Sequence, residues 1–238
     1  MTAMLASVRN LEEARCVQGC AVDIIDLKDP SAGALGAVSH AVAADIVRDI
    51  AGQIPISATI GDLPVDASRI EQAVFNMAKT GVDIIKIGLF DNRIDTAFVN
   101  MLDHCRRNRL RIVLVVFADS GPDLPALFAS LERAPLYGVM LDTRDKHSGP
   151  LTGFMPPREI AAFLDLARQN TFLAGLAGSL RAVDVAELLA MRPDYLGFRG
   201  ALCESGERTS VLSGQLVACI RKRIPRHGDA LPRDLGVG

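Results

Sequence analysis

The 238-residue chain contains no apolar run long enough to span a bilayer, which sets aside a membrane-spanning helix. Its opening residues, MTAMLASVRN, lack the basic, apolar and small-residue parts of a secretory signal. Excess positive charge is missing too. A net charge of -2 provides no global basic field for nucleic acid or for an anionic membrane. Paired cysteine motifs are also absent. Cys16, Cys20, Cys105, Cys203 and Cys219 are odd in number and scattered, with no CxxC and no Cys/His set at zinc spacing. Cys16 and Cys20, one helical turn apart, read as packing. The expectation is a cytoplasmic protein without metal, disulfide, cofactor, nucleic-acid partner or membrane partner.

What is present is apolar and regular. Apolar residues make up 49% of the chain, enough for a substantial core, against an ordinary charged share of 23%. Eight short apolar runs alternate with longer amphipathic ones. The runs lie at 4–8, 21–28, 55–62, 82–89, 111–119, 137–143, 171–178 and 195–200. They are nearly continuous rather than cleanly alternating, as befits strands covered on both faces. Helical patterns follow each of them, with Ser39 a candidate N-cap and Ser68–Glu71 at capping-box spacing in the third. Strict alternation of eight strand–helix units predicts an α/β fold, a single (β/α)8 TIM barrel over residues 1–223. A doubly wound open sheet is the runner-up, weakened because no G-x-G-x-x-G follows the first strand. Residues 224–238, rich in Pro and Gly, read as a flexible C-terminal tail.

Such barrels place their active sites at the C-terminal ends of the strands. The polar residues there are Asp26 and Lys28, Asp62, Lys86, Asp119, Asp142 and Arg199. Side chains alternate along a strand, so Asp26 and Lys28 share a side about 7 Å apart. Lys86 shares its side with Ile84 and Gly88, and Asp142 with Met140 and Gly138. Interior layers draw on alternate strands, so Lys28, Lys86 and Asp142, from strands two, four and six, can converge. Two other readings of the lysines stay open on the residues alone: snorkelling at a strand end, or an ion pair at the barrel bottom.

A free lysine has a pKa of about 10.4 and is not a nucleophile near neutral pH. Burial and a second ammonium nearby favour the neutral amine, which can then form a Schiff base with a carbonyl substrate. Aspartates oppose this, so Asp26 and Asp142 suit proton transfer or orientation better.

Two glycine clusters close the seventh and eighth strands, GLAGS (175–179) and GFRGALC (197–203). Barrels often hold a phosphate between these two loops through backbone N–H groups. Gly175, Gly178, Ser179, Arg199 and Gly200 are therefore candidate phosphate-binding residues. Lys146, four residues past Asp142, either reaches over the site or is a solvated loop lysine. His147 lies beside it. His40, His104 and His227 read as surface residues, and Cys203 lacks the partners of a catalytic thiol.

The stretches VDIIDLKDPSAGALGA, DIIKIGL, MLDTRDKHSGPLTGF, GLAGSL and LGFRGALCESGERTS resemble the (5-formylfuran-3-yl)methyl phosphate synthase family, from the first strand to about Ser210. The resemblance implies a (β/α)8 lyase or synthase that condenses two glyceraldehyde 3-phosphates with loss of phosphate and water, for methanofuran-type cofactor biosynthesis. It implies Lys28 as the Schiff-base residue with Asp26 as its neighbouring acid. It implies Lys86 in proton transfer, and Asp142 with Lys146 in the strand-six motif. The partner implied is a small triose phosphate, with no cofactor, and a homo-oligomer is expected. Asp29 stands where the family more often carries asparagine. Another aldolase- or isomerase-like triose-phosphate enzyme, or a non-catalytic phosphometabolite-binding barrel, are the alternatives.

Overall fold

The computed structural model describes residues 1–91, 94–132, 134–145 and 148–225. Eight strands form one closed parallel barrel in chain order. They are β1 (Ala3–Val8), β2 (Ile24–Leu27), β3 (Ile56–Thr59), β4 (Ile84–Leu89), β5 (Arg111–Phe117), β6 (Gly138–Asp142), β7 (Leu173–Leu176) and β8 (Tyr195–Phe198). Helices α1 (Leu11–Gly19), α2 (His40–Ile50), α3 (Ala67–Ala78), α4 (Thr96–Arg107) and α5 (Leu124–Leu131) follow the first five strands. A single turn, α6 (Leu151–Phe154), and α7 (Pro157–Gln169) follow β6. The ring ends with α8 (Val185–Ala190) after β7 and α9 (Gly214–Arg223) after β8.

The apolar runs divide between two cores because strand side chains alternate. Ile25, Leu27, Ile85, Ile87, Leu114 and Val116 face outward and pack under the helices. Leu5, Ile24, Ile84, Val113, Met140 and Tyr195 fill the barrel interior. Phe163 of α7 is fully buried in the outer layer, where truncation of such a side chain to alanine costs about 3–5 kcal/mol.

The repeated Val-Asp-Ile-Ile of β2 and β4 has a structural cause. Asp23 accepts a hydrogen bond from the Met4 N–H at 2.7 Å. Asp83 accepts one from the Ile56 N–H at 2.8 Å, and Asp194 one from the Ala174 N–H at 2.7 Å. Each aspartate stands just before an even strand and ties an N–H at the start of the preceding odd strand, satisfying a buried backbone donor.

Several boundaries differ from the sequence pattern. The cap of α3 is Asp66, which accepts from the Arg69 N–H at 3.0 Å. Glu71 bonds His104 at 2.7 Å, so Ser68 and Glu71 form no capping box. Ser39 does cap α2. Ile224, read as the start of the tail, is buried in the core; residues 226–238 of that tail lie outside the described residues, as do Lys146 and His147. No helix among the described residues is long and apolar enough to cross a membrane.

Candidate active site

At the C-terminal mouth of the barrel the alternation pattern brings four charges together. Lys28 lies one residue beyond β2, yet its N–H still bonds the Val8 carbonyl at 2.9 Å. The ladder thus fixes its side chain inward, above Asp26. Lys28 Nζ stands 3.5 Å from Asp142 Oδ2. One layer deeper, Lys86 Nζ stands 2.6 Å from Asp26 Oδ1. Lys28, Lys86, Asp26 and Asp142 are all buried, Asp26 completely.

Register explains the precision of the lower pair. Ser7 of β1, Asp26 of β2 and Ser57 of β3 are ladder partners at one height. The Ser7 hydroxyl donates to Asp26 Oδ2 at 2.8 Å, and the Ser57 hydroxyl to Asp26 Oδ1 at 2.7 Å. A buried carboxylate is expensive unless its lone pairs are filled; here two hydroxyls and an ammonium fill them. Among the described residues, Lys86 has Asp26 as its single partner. Above, Asp142 also accepts from the Thr143 N–H at 2.8 Å, which leaves its second oxygen toward Lys28. The mouth therefore presents an upper Lys28–Asp142 pair nearer solvent and a lower, rigid Lys86–Asp26 pair.

One flank of the mouth is filled. Gly88 of β4 has no side chain, and a Cβ there would lie 2.5 Å from the Phe90 ring and 2.8 Å from Leu35. Phe90 packs on Phe117 with ring centroids 4.8 Å apart. These apolar groups keep water from that side. On the opposite flank a cavity of about 430 Å³ opens over the ends of β6, β7, β8, β1 and β2. Lys28, Lys86, Asp26 and Asp142 line it, together with Gly178, Ser179 and Gly200. Its size suits small phosphorylated substrates. Among the described residues no group of three or more His, Cys, Asp and Glu is placed to hold a metal ion.

Two of the expected phosphate residues have other tasks. A Cβ on Gly175 would lie 2.1 Å from the Tyr195 ring, so this glycine makes room for a buried aromatic inside the barrel and is not among the cavity-lining residues. Arg199 lines the cavity but has spent all five N–H donors within the protein. It gives two to Glu13, at 2.6 and 3.1 Å, and one each to the carbonyls of Ser7, Arg208 and Ser210. It is a tie holding the loop after β8 to β1 and α1. Gly178, with φ +98°, and Ser179, with φ 48°, do shape the loop at the cavity edge.

Other strand-end acids also prove to be loop ties. Asp62 accepts from the N–H groups of Ala34 and Leu35, at 2.8 and 2.6 Å, and so shapes the loop after β2. Asp119 accepts from the N–H groups of Arg144 and Asp145. Asp29 accepts from the Ser31 hydroxyl and N–H, which hold its carboxyl below the usual carboxylate range. Cys203 is buried and its thiol is pushed up by that burial, which disfavours a nucleophilic thiolate. The sequence pattern did not bring out Ser7, Ser57, Glu13 or Arg208. Strand alternation could have placed Ser7 and Ser57 inward; Glu13 and Arg208 depend on contacts between distant elements.

Comparison with known proteins identifies the family. Residues 4–221 match the family model described as 4-HFC-P synthase. A Methylorubrum extorquens protein is 38% identical over 217 residues, 90% of this chain and 88% of that one. Proteins of Methanosarcina mazei and Methanopyrus kandleri, each named (5-formylfuran-3-yl)methyl phosphate synthase, are 33% and 32% identical. They match 90% and 86% of this chain over 95% and 91% of their own lengths. Among solved structures, a 3-hexulose-6-phosphate synthase superposes with TM-score 0.65 at 12% identity, over 94% of this chain and 100% of that one. Phosphoribosyl anthranilate isomerase from Thermus thermophilus gives TM-score 0.65 at 13% identity, over 94% and 98%. These two share the barrel alone. The match along nearly the whole barrel, with the relatives it brings, makes the chain a member of the 4-HFC-P synthase family, the (5-formylfuran-3-yl)methyl phosphate synthases.

Proposed function

We propose that the protein condenses two molecules of glyceraldehyde 3-phosphate into (5-formylfuran-3-yl)methyl phosphate, with Lys28 forming a Schiff base. The observation that carries this reading is the stacking of two lysine–aspartate pairs, Lys28–Asp142 over Lys86–Asp26, in one buried mouth. A mere phosphate binder has no use for a lysine held deep on a carboxylate with two hydroxyls behind it.

The product's skeleton dictates the chemistry. Two trioses minus the furan leave one phosphate and two waters. The carbon that joins the second triose bears no oxygen in the product, so the first triose loses its phosphate from C3. Lys28 attacks C1 of that triose, and loss of water gives the imine. The imine acidifies the C2–H, and a base removes that proton; its electron pair forms a C=C bond. The C3–O bond then breaks and phosphate leaves with the bonding pair, giving an unsaturated iminium. The second triose, enolised, adds through its C2 to C3 of the first. Closure of the C2 oxygen onto the second aldehyde, loss of two waters and hydrolysis of the imine free Lys28.

Lys86 is the proton carrier in this proposal, held by Asp26 so that it returns to one position after each transfer. Asp142, beside Lys28, serves the proton transfers of carbinolamine formation. Gly178, Ser179 and Gly200 offer backbone at the cavity edge for a phosphate, and Lys146 joins the site on its motif alone. The imine itself is the electron sink. A cytoplasmic homo-oligomer belongs to the same proposal. The test is incubation with glyceraldehyde 3-phosphate alone, following furan absorbance and phosphate release. One phosphate per furan supports the reading. An aldol adduct or an isomerised triose without phosphate loss, or no turnover, contradicts it.

A further inference from the structure

Two trioses bring two phosphates into the mouth, and one must depart. Of the cations on the cavity wall, Lys28 and Lys86 are paired with carboxylates. Arg181 is drawn to Asp184, at 3.3 and 3.4 Å. Arg199 is fully committed. Arg208 is different. It lines the same cavity, is half-buried, and gives one Nη2 hydrogen bond, to the Gly33 carbonyl at 2.8 Å. Among the described residues its remaining four donors have no protein partner.

Its placement is specific. Arg208 belongs to the loop after β8, and its bond to Gly33 carries it across β1 to the loop that begins at Lys28. The backbone beneath is held by Arg199, whose Nε donates to the Arg208 carbonyl at 2.7 Å. Arg199 is anchored in turn on buried Glu13. A guanidinium with a fixed base and unspent forked donors matches a phosphate, whose oxygens accept two parallel N–H bonds. Burial lowers the Arg208 pKa somewhat while Asp142, Asp62 and Asp29 act in the opposite sense, and the group remains a cation at any working pH.

We propose that Arg208 is a catalytic residue that binds the phosphate leaving C3 of the Lys28-bound triose, and that Arg199 and Glu13 are positioning residues for it. The inference rests on the reading of function above. As the C3–O bond breaks, negative charge grows on the departing phosphate, and preorganised donors stabilise that charge more than the intact ester.

The test separates imine formation from elimination. Arg208→Met and Arg208→Lys are incubated with glyceraldehyde 3-phosphate, and initial phosphate release and borohydride-trapped protein mass are followed together. Arg208→Met is expected to slow phosphate release at saturating substrate about 100-fold. It should still trap a triose that retains its phosphate, at a rate within about threefold of the unmodified enzyme. Arg208→Lys, which keeps the charge but loses the fork, is expected to fall between. Unchanged phosphate release, or release and trapping falling in parallel, overturns the proposal. In the unsubstituted protein, inorganic phosphate is expected to slow phenylglyoxal modification of Arg208, read by peptide mass; modification at an unaltered rate also overturns it. Protection of Arg208 without any furan formation would instead refute the reaction and leave an anion site. Furan formation by a fully active Arg208→Met would refute this inference alone.

Discussion

The Lys86 ammonium lies 2.6 Å from the Asp26 carboxylate with both groups buried, and the Ser7 and Ser57 hydroxyls close the carboxylate from its other sides. Breaking a buried pair by removing one partner leaves an uncompensated charge, at a cost of about 3–5 kcal/mol. Asp26→Asn is expected to cost more than Lys86→Met, because the two hydroxyls still serve Asp26 when Lys86 is gone. The double variant should cost less than the sum of the two. Urea unfolding of the four proteins checks this; additive losses would mean that the pair is not coupled.

The same pair is separate from imine formation in the proposed chemistry. Lys86→Ala is expected to lose furan formation by 100-fold or more, on the order of removing a general base, while borohydride still traps a triose on Lys28. Mass spectrometry reads both. Failure of a folded Lys86→Ala variant to trap any triose would assign Lys86 to imine formation as well.

Gly175 tests its reassignment from phosphate binding to packing. A methyl there meets the Tyr195 ring at 2.1 Å, and overpacking of this kind costs about 1–3 kcal/mol. Gly175→Ala is expected to lower Tm with little change in phosphate affinity of the folded protein. Weakened phosphate binding at unchanged Tm would restore the earlier assignment.

Cys105 supplies a pH test. Burial is the first cause that pushes its thiol up to about 11, with Glu71 adding to it. The unfolded thiol releases its proton near pH 9, whereas the folded one holds it to about 11. Folding therefore loses stability as pH rises through that window. Cys219 is exposed and should react with a thiol reagent at once, while Cys105 waits for unfolding. Rapid modification of Cys105 in the folded protein would contradict the packing around α4.

The barrel was legible because its period is simple. Continuous apolar strands, each followed by an amphipathic helix, leave few other ways to bury both faces, and alternation placed Lys28, Lys86 and Asp142 inward from even strands. Which lysine meets which aspartate was not legible, since that depends on the height of each strand in the barrel. Nor was the exchange between Arg199 and Arg208. Both lie in the loop after β8, nine residues apart, and only the fold shows that Glu13 of α1 occupies the first and leaves the second with donors to give. Ser68 and Glu71 had capping spacing, but Asp66 stood two residues earlier and His104 drew Glu71 away.

The central claim is a covalent bond between Lys28 and the aldehyde carbon of a triose phosphate. It is tested most directly by borohydride reduction in the presence of glyceraldehyde 3-phosphate, followed by peptide mass spectrometry of the unsubstituted protein and of Lys28→Arg. Arginine keeps the charge but cannot supply a neutral amine at working pH. The expected result is a triose-derived mass on Lys28 alone, and none on folded Lys28→Arg. A stable adduct on Lys86, or any adduct on Lys28→Arg, would contradict the account.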